Sequence, residues 1–222
     1  RAEELRTGTI KKQVFKAPRM YSRLRELGRV HSMLVRDVVR VQGRVKAMYR
    51  ARGVGTPGKS VYGPKERERW LRQLPVSSRW ATEKLHEQYD LLLELKQEAE
   101  QELVAESRKH RISKVLATAP GLGPIRVARL LPIVVTPHRF RTRSQFWAYC
   151  GLGIVMRSSS DWVQSPNGGW MRAQVQQTRG LNRQHNSSLK NIFKGAAMTV
   201  VMRLHTDPLY EHYTQLTSAG TK

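Results

Sequence analysis

Apolar residues recur at alternating steps of four and three along residues 19–52, where Leu27, His31, Leu34, Val38, Val41, Val45 and Met48 make a heptad seam with one polar member. No proline interrupts the stretch, so the spacing predicts one long helix. Arg29, Arg36, Arg40, Arg44, Lys46 and Arg50 flank the seam. An apolar stripe bordered by arginines suits a helix that packs on a partner helix while its outer face follows a phosphate backbone, with a plain solvated basic face as the competing use. His31 then sets register or fills a polar core position, because no second ligand stands at metal spacing.

The pattern breaks at residues 53–63 (GVGTPGKSVYG), which read as a loop or hinge. The Gly-Lys-Ser there resembles the end of a phosphate-binding loop, but the upstream glycine spacing and the preceding strand are absent. Trp70, Leu71 and Leu74 predict a short helix ending at Pro75. Periodicity resumes over residues 82–110 with Leu85, Tyr89, Leu92, Leu95, Ala99 and Leu103 on one side. This helical-hairpin segment, short and long helix together, carries most of the acidic residues, so it suits a protein contact, within the chain or between copies, better than a DNA contact.

Residues 112–131 (ISKVLATAPGLGPIRVARLL) place an apolar helix before Pro120-Gly121-Leu122-Gly123 and a second helix after it, starting at Pro124 with Ile125, Ala128, Leu130 and Leu131 on its buried side. That is the pattern of a helix-hairpin-helix: glycines allow a tight turn, and free amides at a helix N-terminus can hold a phosphate. Proline suits the first helical position because its missing amide would be unpaired there anyway. An ordinary interhelical turn also uses glycine. Farther on, the basic loop TPHRFRTR leads to a helix with Phe146, Trp147 and Tyr149, capped by Ser144 and stopped at Gly151. The Ser158-Ser159-Ser160 triplet follows. Trp162 and Trp170 flank Pro166-Asn167-Gly168-Gly169, a turn that allows a small β-hairpin closed by cross-strand tryptophan packing, or a stacking surface for bases. Residues 189–204 form an apolar helix with Ala196 and Ala197 for close packing, and Thr206-Asp207-Pro208 starts the last one. The fold class expected is therefore mainly α: a long-helix coiled-coil linker, then a helical domain with a helix-hairpin-helix.

Charge narrows the function. Over 222 residues, 40 Lys and Arg against 17 Asp and Glu give a net charge of +23, a surface that calls for a polyanion, most commonly nucleic acid. An anionic membrane is the rival partner, but no apolar run approaches the roughly 20 residues that span a bilayer, and no signal-peptide pattern opens the chain. The single cysteine, Cys150, excludes an internal disulfide and a thiolate cluster, which points to the cytoplasm.

The ordered series PGLGPIRVARLL, PHRFRTRSQFWAYCGL, RSSSDW, LNRQHNSSLKNIFKGAA and DPLYEHYTQL resembles the C-terminal domain of bacterial insertion-sequence transposases of the DEDD-plus-serine type, the insertion-sequence one-ten family, some of which are guided by a bridge RNA. The resemblance is close from residue 115 onward. It is looser over RAEELRTGTIKKQVFKAP and the arginine-rich helix, which are similar to the end of a RuvC-like nuclease domain and its coiled-coil linker. It implies a division into 1–18, the end of that nuclease domain; 19–110, the linker; and 111–222, the C-terminal transposase domain.

The resemblance further implies a recombinase that cuts and rejoins donor and target DNA with a guide RNA, acting as a homo-oligomer, dimer or tetramer, on the bacterial nucleoid in the cytoplasm. Its acidic tetrad would bind Mg2+ on a domain this chain does not contain: Asp37, Asp90, Asp161 and Asp207 are scattered, and Arg1-Ala2 stand where Asp-Ala is usual. The chain is thus expected to bind no metal itself and, as a fragment, to be inactive alone. The implied nucleophile lies eight residues beyond Gly151, at Ser159. Ser160 replaces the usual following glycine and Ile154 the usual proline, so Ser158 and Ser160 stay as alternatives.

A serine hydroxyl is a weak nucleophile that needs a base or metal. Arg157 stands ready to hold the scissile phosphate, Asp161 to orient a group or cap the turn, and no histidine has the spacing of a Ser-His-Asp system. Gly121, Gly123 and Arg126 are candidates for backbone phosphate contact. Arg36, Arg40 and Arg44 are candidates for RNA or DNA. Asn186 and Lys190 occupy the polar motif before the apolar helix, although His185 replaces its usual glycine. Two other readings compete: a catalytically inactive RNA- or DNA-binding module derived from such an enzyme, and a repair protein built on the helix-hairpin-helix, which leaves the serines unexplained.

Overall fold

The computed structural model describes residues 6, 7, 15, 18–154, 162–172 and 180–220. It is mainly α-helical with one two-stranded sheet among those residues, as expected from the sequence. Two compact units are present: Ser22–Lys114, and the described residues of Arg1–Tyr21 and Val115–Lys222.

The first unit is built on α1 (Ser22–Arg50) and α3 (Val76–Arg108), which pack along their lengths. Contacts pair early residues of one with late residues of the other, Arg23 with Glu106, His31 with Glu100 and Gln42 with Tyr89, so the helices run antiparallel. The acidic helix therefore covers the arginine-rich one within the chain. Of the predicted seam, His31, Val38, Val41 and Val45 are buried, joined by Leu24 and Tyr49. Leu27, Leu34 and Met48 sit at its half-buried edge, because a straight helix drifts off a seven-residue repeat and shifts its buried face by a position. On α3, Leu95 is exposed, and Thr82 and His86 are buried in its place. That helix starts six residues before the predicted position, directly after Pro75.

Residues 53–63 are a loop but not a free hinge. They contain a 3-10 turn, Ser60–Tyr62, whose Val61 and Tyr62 join the core formed by Val38, Val41, Val45, Tyr49, Leu71, Leu74 and Tyr89. The Tyr62 hydroxyl donates to the carbonyl of Gln42 at 3.2 Å, and its ring lies 5.4 Å from that of Tyr89. The short helix α2 (Arg67–Arg72) is tied to α3 by Arg67, which donates to both carboxylate oxygens of Asp90 at 2.6 and 2.8 Å. Such a two-pronged pair has the geometry that makes an ion pair specific. The hydrogen bond to Asp90 and that carboxylate's charge raise the Arg67 pKa against the opposing effect of burial.

The division between units falls within α4 (Ile112–Leu116). The second unit contains α5 (Pro124–Val134), α6 (Arg143–Tyr149), β1 (Trp162–Gln164), β2 (Trp170–Arg172), α7 (Ser187–Arg203) and α8 (Pro208–Ser218). Its core joins Leu122, Val127, Leu130, Cys150, Leu189, Ile192 and Ala196. The strands form the expected antiparallel hairpin, with Trp162 opposite Arg172 and Gln164 opposite Trp170. The tryptophans are therefore diagonal, and at 54% and 69% exposure they do not close the hairpin by packing. Its hydrogen-bonded turn holds it, with Ser165 and Gly169 paired and Gly168 at a φ of 81°. The small-residue surface of α7 also differs from expectation: Ala196 is buried and Ala197 exposed, because the helix turns Gly195 and Ala196 toward α5.

Candidate nucleic-acid interface

The turn between α4 and α5 depends on its two glycines in different ways. Gly121 adopts a φ of 73°, a backbone state that costs an L-residue roughly 1–2 kcal/mol. A Cβ there would lie 2.3 Å from the carbonyl oxygen of Ala196, so α7 passes directly against the turn. Gly123 sits at the N-cap of α5 in an extended conformation with open space around it, followed by Pro124 at the first helical position. The first-turn amides of such a helix have no intrahelical acceptor and carry the positive end of its dipole.

Arg126 has a specific structural engagement. Its Nη1 donates to the carbonyl of Gly121 at 2.8 Å and to the hydroxyl of Thr199 at 2.9 Å, clamping the turn to α7. Gly195 leaves room for this: a Cβ there would lie 3.1 Å from the guanidinium. Gly195 and Thr199 carry no sequence signal for the role, which exists only once α5 lies across α7. Beside the clamp is an open groove of about 750 Å³, lined among others by Thr118, Pro120, Gly121, Gly123, Arg126 and Arg203. Both glycines and one predicted arginine therefore border one concave surface.

A second cluster brackets the serine segment. Thr142, not Ser144, caps α6: its hydroxyl accepts the amide of Gln145 at 3.2 Å, while Ser144 already lies inside the helix. The extended backbone at Thr142 directs its side chain at the first turn, which Ser144 cannot do from a helical position. After α6 the chain turns at Gly151, with a φ of 73°, under the ring of His185; a Cβ at Gly151 would lie 2.5 Å from that ring. His185 Nδ1 donates to the carbonyl of Asn182 at 2.8 Å, so the histidine that replaces glycine in the motif has a defined place. The Asn182 amide donates to the carbonyl of Gly153, and Ile154 forms a β-bridge with Leu181. Residues 149–154 and 181–186 are thus laced together where the chain enters residue 155.

Asn186 caps α7, accepting the amide of Leu189 at 3.1 Å, and its own amide donates to the carbonyl of Tyr149 at 2.9 Å. Replacing Asn186 by Ala is expected to lower stability by about 1 kcal/mol, the usual cost of removing an N-cap, seen as a lower thermal midpoint by circular dichroism. An unchanged midpoint would show that the cap contributes nothing. Lys190 is half-buried on the first turns of α7. Cys150 is buried, and burial pushes its thiol up to about 11 against the opposing charge of Arg139, so it is inert as a nucleophile at neutral pH.

Arg36, Arg40 and Arg44 are exposed at four-residue intervals along α1, in the other unit. Arg40 pairs with Asp37. Arg157, Ser158, Ser159, Ser160 and Asp161 lie outside the described residues. Among the described residues no three His, Cys, Asp or Glu side chains stand together as a group able to hold a metal ion, and no helix is long and apolar enough to cross a membrane.

Comparison with known proteins gives one family. Residues 113–214 match the family model described as Transposase IS116/IS110/IS902 family. No curated protein and no solved structure matches the chain. The match begins in α4, takes in the glycine turn, α5, α6, the serine triplet, the hairpin and α7, and ends within α8. It supports a transposase or recombinase role.

Proposed function

We propose that this chain carries the linker and C-terminal portion of a DNA transposase of the insertion-sequence one-ten type, and that Ser159 is the nucleophile of its strand exchange. The observation that carries the reading is the family match across residues 113–214, which spans the serine triplet, in a chain of net charge +23. In the proposed step the Ser159 hydroxyl oxygen attacks a backbone phosphorus, the bond to one deoxyribose oxygen breaks, and that oxygen leaves as a hydroxyl after taking up a proton. A hydroxyl of another strand then attacks the phosphoserine, joining the DNA and restoring the serine. One phosphoester replaces another at each stage, so no external energy source is needed. Arg157 is assigned to the charge that builds on the phosphate during both attacks.

The surrounding surface fits a polyanion. The first-turn amides of α5 above Gly121 and Gly123 are assigned to a backbone phosphate, with Arg126 holding the turn in shape, and Asn186 and Lys190 to further nucleic-acid contacts. The exposed row Arg36, Arg40 and Arg44 is assigned to the guide RNA or to DNA. Donor and target each present strands to be cut, and a homo-oligomer that brings one serine to each is part of this reading. Magnesium would serve to activate the serine and stabilise the leaving oxygen. The described residues offer it no donor set, so no step is assigned to it.

The test is a denaturing gel for a covalent protein–DNA adduct. The protein with its RNA is mixed with end-labelled donor and target DNA and magnesium, comparing wild type with Ser158→Ala, Ser159→Ala and Ser160→Ala. A labelled band that resists denaturant and vanishes only in Ser159→Ala is the expected outcome. A band that survives Ser159→Ala but not one of its neighbours moves the assignment. Bound DNA with no adduct in any sample sinks the enzyme reading in favour of a binding module.

A further inference from the structure

Arg139 ends the 3-10 turn Pro137–Arg139, and its guanidinium carbon lies 4.4 Å from the ring centre of Phe15, 4.6 Å from that of Phe140 and 4.9 Å from that of Tyr149. The rings are themselves fixed. Phe140 packs 5.4 Å from Tyr149 and 5.1 Å from Phe146, which meets Phe193 edge-on against the core of the unit. Three ring faces attract a cation through their quadrupoles, but they leave its N–H groups without conventional acceptors.

Two other half-buried arginines do have acceptors within the fold. Arg67 has both oxygens of Asp90, and Arg126 has a carbonyl and a hydroxyl. Among the described residues Arg139 has neither an ion pair nor a hydrogen bond; its Nε is buried without a partner, while its terminal nitrogens are not buried. A guanidinium held rigidly by aromatic rings, with its outer donors uncommitted, lacks only a counter-ion. With 40 basic against 17 acidic residues, the chain itself is poorly supplied with one.

We propose that Arg139 is a pre-ordered clamp for a backbone phosphate of duplex DNA, in an aromatic cage that fixes its direction. The inference rests on the DNA-recombining function proposed above for the identity of the polyanion. A planar guanidinium matches two phosphate oxygens with two parallel hydrogen bonds, which a lysine ammonium cannot do from the same position. The cage shares Tyr149 with α6, the helix that leads along the chain toward the serine triplet.

The experiment measures binding of a short fluorescent DNA duplex to the 222-residue chain without magnesium, from about 50 to about 200 mM salt, for wild type, Arg139→Gln and Arg139→Lys. Folding is checked by thermal melting. Arg139→Gln is expected to bind about tenfold more weakly at low salt, with a plot of log affinity against log salt shallower by about 0.9, the change that follows when one phosphate fewer is neutralised. Arg139→Lys is expected to keep the slope and recover only part of the affinity. Wild-type affinity and slope in folded Arg139→Gln overturn the clamp, and full affinity in Arg139→Lys overturns its two-pronged form. If Arg139→Gln melts early, phenylglyoxal modification of wild type read by mass spectrometry decides: protection of Arg139 by DNA supports the clamp, and equal reactivity overturns it. A slope change seen only with an RNA duplex overturns the assignment to DNA. Wild type that does not bind DNA sinks the function proposed above instead.

Discussion

Gly121→Ala is expected to destabilise the C-terminal unit by about 3 kcal/mol or more, while Gly123→Ala costs about 1 kcal/mol. The two glycines stand two residues apart in one turn, yet they are constrained by different things. At Gly121 an added methyl meets backbone, 2.3 Å from the oxygen and 2.9 Å from the carbon of the Ala196 carbonyl, and backbone inside a helix cannot step aside as a side-chain tip can. The φ of 73° adds its own penalty. Separating the turn from α7 to make room would also break the hydrogen bonds from Arg126 to Gly121 and Thr199. At Gly123 the backbone is ordinary and nothing lies within 4 Å, so alanine forfeits only its suitability as an N-cap. Thermal unfolding followed by circular dichroism separates the two: a fall of about 10 °C or more for Gly121→Ala, and a few degrees for Gly123→Ala. Equal midpoints would mean that α7 does not rest on the turn.

Acidification from pH 7 to pH 5 is expected to remove about 2 kcal/mol of stability through His86 alone. This side chain is 1% exposed, and neither ring nitrogen has a hydrogen-bond partner. Burial, assisted by the charge of Arg67 and opposed by that of Asp90, lowers its pKa from 6.5 to about 4. The neutral ring is therefore the folded form, and the unfolded chain takes up a proton first as pH falls. The contribution is complete above the unfolded value near 6.5 and is lost as pH drops toward 4, about 3 kcal/mol over the whole window. Glu100 adds to the trend: burial raises its pKa, but hydrogen bonds from Lys96 and His31 outweigh that and hold it below its ordinary value. Urea unfolding at pH 7 and pH 5 of wild type and His86→Leu isolates the histidine. The leucine variant should show a pH dependence smaller by about 2 kcal/mol, and an identical dependence would place His86 in contact with water.

His86 also shows where periodicity misleads. The apolar stripe of α3 is legible as a stripe, but hydrophobic spacing traces it through Leu85, Leu92 and Leu95. In the fold α3 buries Thr82 and His86 and leaves Leu95 exposed. The helix meets α1 and α2 together along this stretch, and a face wedged between two neighbours need not follow the heptad of either. The same limit applies to caps. Thr142 and Ser144 are chemically similar, and only the extended backbone at Thr142 decides that its hydroxyl reaches Gln145.

The candidate site divides along similar lines. Gly121, Gly123, Arg126, Asn186 and Lys190 are legible as a group from their motifs, and all lie in one unit. Their tasks are not legible, because Arg126 finds Thr199 at a separation of 73 residues and Asn186 finds Tyr149 at 37. Along the chain Arg139 is one more basic residue in a basic loop, since the aromatic rings that distinguish it include Phe15, far away in the sequence. Ser159 rests on motif order and the family match, as it lies outside the described residues.

By itself the sequence determined the helical character of the chain, the glycine turn before α5, the hairpin turn at residues 165–169 and a net charge of +23. Each of these follows from residues within a turn or two of one another, or from a sum over composition. The tertiary structure alone decided which glycine is pressed against backbone, which arginines are bonded internally and which one is caged by aromatic rings. Burial and hydrogen-bond partnership depend on what comes through space from distant parts of the chain, and one-dimensional spacing does not encode that directly.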